Sequence, residues 1–81
     1  MHSGDYKIKV LSVYKFLLHS DRDHPLTVPE ITEKLEREYN ISPDRQTLYS
    51  DLAAIEIIDP RFRKKRGVTG HFNSYWIEKE D

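Results

Sequence analysis

The stretch Ile41-Ser42-Pro43-Asp44-Arg45-Gln46-Thr47-Leu48-Tyr49-Ser50-Asp51-Leu52 decides how the rest of the chain is read. Ser42 is a good helix cap, and Pro43 fits the first helical position, where its missing N–H costs nothing. Leu48, Leu52 and Ile55 then recur at spacings of four and three, which predicts an amphipathic helix over about 43–56. With that stripe turned inward, Arg45, Gln46, Tyr49, Ser50 and Ala53 lie on the opposite, solvent face.

Upstream, Thr27-Val28-Pro29-Glu30 spells a capping box, and Val28, Ile31 and Leu35 form one stripe that Tyr39 extends. These residues predict a helix over about 28–39, with Glu33, Lys34, Glu36, Arg37 and Glu38 on its outer face. Only Asn40 to Ser42 separate the two helices, with apolar Ile41 plugging the turn. So short a connection suits two helices meeting steeply, as in a helix-turn-helix. Before Pro25, Val10, Leu11, Tyr14, Leu17 and Leu18 predict a first helix over about 6–19, with Lys7, Lys9 and Lys15 mostly off its apolar face.

Downstream, Asp59-Pro60 breaks the helix, and Arg61-Phe62-Arg63-Lys64-Lys65-Arg66 turns at Gly67-Val68-Thr69-Gly70 into the aromatic-rich run His71 to Ile77. The two glycines suit the positive φ of a hairpin loop. A hairpin over about 61–78 follows, and a short strand at Leu26 could pair with it. The expected fold is α+β, mainly α: a winged helix-turn-helix of three helices and a two-stranded β-hairpin wing, forming a single domain over residues 1–81.

Composition narrows the function. Val, Ile, Leu and Phe supply 21 of the 81 residues and the net charge is only -1, so the chain has the means to fold. A core this small leaves little room for a deep substrate cavity. The absence of cysteine excludes a disulfide scaffold, a thiolate zinc site and a cysteine nucleophile, and fits a cytoplasmic location. No apolar run approaches membrane-spanning length, and the first residues lack the pattern of a signal peptide, so no membrane association is expected. The near-neutral total hides a block: Arg61, Arg63, Lys64, Lys65 and Arg66 fall within six residues with no acid among them. Such a block is either a solvated surface or a contact for an anionic polymer.

The arrangement Arg45-x-Thr47-Leu48-x-x-Asp51-Leu52, preceded by a leucine-bearing helix and followed by a basic hairpin, resembles the winged helix-turn-helix at the N-terminus of WYL-domain (DeoR-type) bacterial transcriptional regulators. The resemblance runs over roughly residues 7–78. Two features depart from the pattern: Ser50 stands where these regulators often have a basic residue, and Asp44 adds an acid near the DNA-facing end. The large C-terminal effector domain of such regulators is absent from these 81 residues. The partners that the resemblance implies are double-stranded DNA and an effector or dimerisation domain outside this chain.

The side chains agree with that expectation. Arg45 suits a guanine edge and Gln46 an adenine edge, while Tyr49 and Thr47 can reach phosphates or a thymine methyl. Arg45, Gln46, Tyr49 and Ser50 are the expected base readers. Thr47, Arg61, Arg63, Lys64, Lys65 and Arg66 are the expected backbone contacts, on phosphates or in a minor groove. An ordinary solvated helix face and a solubilising basic block are the competing readings. Phe62, Phe72, Tyr75 and Trp76 are expected in the core rather than stacked on bases, and Asp51 is expected to hold helix packing. His2, His19, His24 and His71 lack the spacing of a metal site. No elbow, phosphate loop or carboxylate pair marks a catalytic centre. Neither enzyme activity nor a cofactor is expected. With no apolar seam left over, the chain should be monomeric or weakly dimeric and grip one half-site. The alternative is a winged helix that binds a protein partner without DNA, which the acidic first 59 residues and a pI of about 6.4 favour.

Overall fold

A computed structural model describes residues 3–67 and 71–79, with side chains from Tyr6 onward. In chain order these form α1 (Ser3–Leu18), β1 (Leu26–Thr27), α2 (Val28–Tyr39), α3 (Arg45–Ile58), β2 (Phe62–Lys65) and β3 (Ser74–Ile77). The protein is therefore a small, mostly helical α+β fold with an antiparallel sheet ordered β1-β3-β2. The short strand considered at Leu26 forms and joins the two-stranded hairpin: Leu26 pairs with Tyr75 and Thr27 with Ser74, so the sheet has three strands and β3 is central. The third strand fits the burial: Leu26 is buried beside Tyr75, and its backbone groups find their partners on β3.

The capping box of α2 forms as its sequence dictates. Glu30 N donates to Thr27 Oγ1 at 3.4 Å, and Thr27 N donates to Glu30 Oε1 at 3.1 Å. At the other end Asn40 adopts φ 55, in the left-handed region that asparagine tolerates, and its N–H donates to Glu36 O. Ile41 then turns into the core. α3 begins later than its sequence suggests. Its cap is Asp44, not Ser42: the Asp44 carboxylate accepts from Gln46 N at 3.3 Å, and Pro43 lies outside the helix. Either side chain can accept from an open N–H, but the Asp44 carboxylate also brings a negative charge to the positive end of the helix. The connection consequently spans residues 40–44.

The face that α1 buries is also corrected. Of the expected stripe, Leu17 is buried and Tyr14 and Leu18 pack against the core, but Val13 and Phe16 enter with Lys9 and Ser12, whereas Leu11 remains 66% exposed. Both stripes have helical spacing, so the partner chooses between them. Lys9, only 2% exposed, forms an ion pair with Asp51 of α3, and that neutralisation allows an ammonium into the helix interface. Asp51 thereby ties α3 to α1.

A second polar tie closes the far end of α3. Asp59 is 4% exposed; it accepts from Tyr14 Oη at 2.6 Å and from Arg61 Nε and Nη2 at 3.0 and 2.8 Å. One carboxylate thus joins α1, the end of α3 and the entry to β2. The Arg61 guanidinium, followed by the Tyr14 hydroxyl, holds the Asp59 carboxyl well below its usual range, and in turn Asp59 raises both partners.

Candidate nucleic-acid interface

The inward stripe Leu48, Leu52 and Ile55 fixes the roll of α3, and the other side is left to solvent. Arg45, Gln46, Tyr49 and Ser50 are all exposed there. Arg45 is not a loose side chain: its guanidinium lies 5.2 Å from the centroid of the Phe72 ring, a cation–π contact. Phe72 belongs to the segment leading into β3 and is 41% exposed, so the sequence-based assignment of this ring to the core is corrected. Its exposure follows from its place before the strand, where alternation no longer directs side chains. Tyr49 faces the sheet across a shallow groove of about 130 Å³ that Asn73, Tyr75 and Lys64 also line.

Thr47 and Arg61 do not fit their expected roles. Thr47 Oγ1 donates to Asp44 O at 2.7 Å, which uses the only proton its hydroxyl could offer a phosphate. Arg61 is held by Asp59 as described, so its charge serves the fold. Of the remaining basic block, Arg63 Nη1 donates to Pro60 O and Phe62 O at 2.8 and 3.0 Å, and Lys64 lies 3.8 Å from Glu56 of α3. That pairing offsets the one acid that α3 presents beside Tyr49. Lys65 and Arg66 are exposed and have no ion-pair partner among the described residues.

The register sorts the strand residues by face. Phe62 pairs with Ile77 and Lys64 with Tyr75; Phe62, Tyr75, Ile77 and Leu26 are buried on the core side, while Lys64 at the edge stays exposed. Arg63 pairs with Trp76 and Lys65 with Ser74 on the other side. Trp76 is only 8% exposed but stands outside the main core cluster, and its Nε1 donates to Glu78 Oε2 at 2.6 Å. The loop apex expected at Gly67-Val68-Thr69-Gly70 lies outside the described residues beyond Gly67. At Gly67 what demands glycine is space, since a Cβ would stand 2.4 Å from His71 O and 2.5 Å from Phe72 O.

Two contacts are missing from the sequence-based expectation: Arg45 on Phe72, and the capture of Arg61 by Asp59. The first carried no signal beyond the presence of an aromatic in the hairpin. The second could have been suspected from Asp59-Pro60-Arg61, where an acid and a base flank a turn. Among the described residues no three His, Asp or Glu side chains come together as metal ligands, and no helix is long and apolar enough to cross a membrane. Compared with known proteins, the chain matches no family model, no curated protein and no solved structure.

Proposed function

We propose that this chain is a winged helix-turn-helix that reads double-stranded DNA sequence-specifically, with α3 in the major groove and the β2–β3 pair as a wing along the backbone or in the minor groove. One observation carries the reading. Arg45, Gln46, Tyr49 and Ser50 share the exposed face of α3, and the Arg45–Phe72 contact ties that face to the segment leading into β3, the strand that pairs with basic β2. Arginine and glutamine are the side chains that bond purine edges bidentately. Arg63, Lys64, Lys65 and Arg66 supply the phosphate contacts, and Arg61 and Thr47 hold the scaffold. The role follows from the chemistry and from the likeness to WYL-type regulators: the DNA-binding part of a bacterial transcriptional regulator, working in the cytoplasm without a cofactor and without catalysis.

A protein-binding winged helix is the second reading, favoured by Leu11, Ile57 and Ile58, which are 66, 83 and 69% exposed. Selection from a random duplex library separates the two. The DNA reading expects one enriched half-site motif that disappears with Arg45→Ala, whereas no enrichment over the input library favours the protein partner.

A further inference from the structure

The sheet face turned away from the core is not flat. Between it, the Arg22–Pro25 loop and the segments flanking the β2–β3 connection lies an open cavity of about 880 Å³. Its walls include Arg22, Lys65, Arg66, His71, Phe72 and Trp76. Glu78 is the acid beside this wall, and both of its oxygens are in use: Oε2 accepts from Trp76 Nε1, and Oε1 accepts from Arg22 Nη2 at 2.6 Å. Lys65 and Arg66 have no ion-pair partner among the described residues, and Phe72, which carries the Arg45 guanidinium over its ring, still leaves 41% of its surface exposed at the same cavity.

Solubility explains exposed lysine and arginine, but not why they surround a hollow with an indole and a phenyl ring in it. A bare anion needs the cations and not the rings, and an apolar ligand needs the rings and not the cations. A ligand that uses both has a flat aromatic part and a phosphate a few ångströms away. The geometry points to a binding site for a phosphorylated nucleoside, its base against Phe72 and its phosphate on Lys65 and Arg66, with Trp76 as the floor. The volume lies within the range of small-molecule sites. This nucleotide is either free or an unpaired nucleotide of a strand. The site shares Lys65 and Arg66 with the proposed wing, and Phe72 touches Arg45, but Gln46 and Ser50 take no part in it, so those two residues separate it from the reading of DNA by α3.

Trp76 is the only tryptophan of the chain, so its indole N–H gives one assignable NMR signal at the cavity floor. The experiment titrates the full chain with adenosine 5′-monophosphate, adenosine, inorganic phosphate and a 5′-phosphorylated tetranucleotide, following that signal. The monophosphate should shift it saturably, at least five-fold more tightly than adenosine or phosphate alone. Phe72→Ala should weaken monophosphate binding about five-fold or more, as loss of a base–aromatic stack does. Lys65→Gln/Arg66→Gln should bring the monophosphate down to the affinity of adenosine, and Gln46→Ala/Ser50→Ala should change nothing. All of these positions are exposed, so the variants should fold, as dispersed amide spectra will verify. A tetranucleotide that binds more tightly than the monophosphate assigns the strand as the source, and equal affinity assigns the free nucleotide. Absence of a saturable shift, equal shifts from phosphate alone, or indifference to Phe72→Ala would each overturn the site. Loss of duplex selectivity in Gln46→Ala/Ser50→Ala with monophosphate binding intact separates this inference from the DNA reading.

Discussion

Replacing Lys9 by Met tests how the helices are held together. The side chain keeps its length and most of its apolar stem but loses the charge that Asp51 faces, leaving a carboxylate that is 16% exposed without its partner. Breaking a buried pair by removing one member costs about 3–5 kcal/mol, and the residual exposure of Asp51 places the loss near the lower figure, about 3 kcal/mol. A domain of 81 residues is stable by about 4–12 kcal/mol, so the variant loses a large share. At about 4–8 °C per kcal/mol for a domain of this size, Tm should fall by about 12–24 °C. The second half of the test is the double variant Lys9→Met/Asp51→Leu, in which no charge is left stranded. Replacing both partners of a buried pair by apolar side chains is often neutral or stabilising, so the double variant should melt well above the single one. Thermal unfolding followed by far-ultraviolet circular dichroism measures all four corners of the cycle, including Asp51→Leu alone. Should Lys9→Met melt like the parent, or the double variant fall as far as the two singles added together, the pair does not organise the α1–α3 interface and the assigned roll of α1 is wrong.

Three further outcomes follow from the same structure. Asp59 has its carboxyl depressed in the folded state, so its contribution is complete above the ordinary aspartate pKa of about 3.9 and is lost as pH falls toward the folded value; Asp59→Asn should be destabilised by about 1–3 kcal/mol at pH 7 and show a flatter loss of stability below pH 4 in urea melts. Gly67→Ala should destabilise the hairpin measurably, because the new Cβ meets backbone oxygens rather than a side chain that can move, and amide exchange of β2 and β3 should accelerate while α2 is unchanged. Leu52→Ala, at a position 3% exposed, should cost about 2–5 kcal/mol in chemical denaturation, and an unchanged midpoint would remove Leu52 from the core.

What can be read from the sequence alone is what depends on neighbours in the chain. The Thr27–Glu30 box and the stripe Val28, Ile31 and Leu35 lie within one helix, and so do Leu48, Leu52 and Ile55, whose inward turn exposes Arg45, Gln46, Tyr49 and Ser50. What depends on distant partners is not legible. In α1 two stripes share the helical period, and the one that is buried places Val13 and Phe16 in the core and Lys9 against Asp51, 42 residues away. Ser42 and Asp44 are both good capping residues, and the choice of Asp44 moves the start of α3 to Arg45. The short strand at Leu26 is legible as a candidate, but two residues show no periodicity of their own, and it is the pairing with β3 that fixes it. In the candidate interface the same division holds. The face of α3 follows from local spacing, and the loss of Arg61 to Asp59 spans only two residues, whereas the Arg45–Phe72 contact arises only when the hairpin folds back beside α3.

The central claim, that α3 reads bases while the β2–β3 strand grips phosphates, is tested most directly by fluorescence anisotropy on the selected duplex and on a scrambled one, at several salt concentrations. The parent, Arg45→Ala and Lys65→Gln/Arg66→Gln are compared. Arg45→Ala should weaken binding to the selected duplex by about 1–3 kcal/mol while barely affecting the scrambled one. Lys65→Gln/Arg66→Gln should weaken both alike, keep the preference between them, and flatten the salt slope by about 0.9 for each phosphate no longer neutralised. A parent chain that binds neither duplex at low salt, or an Arg45→Ala variant that loses affinity for both in equal measure, would contradict the account.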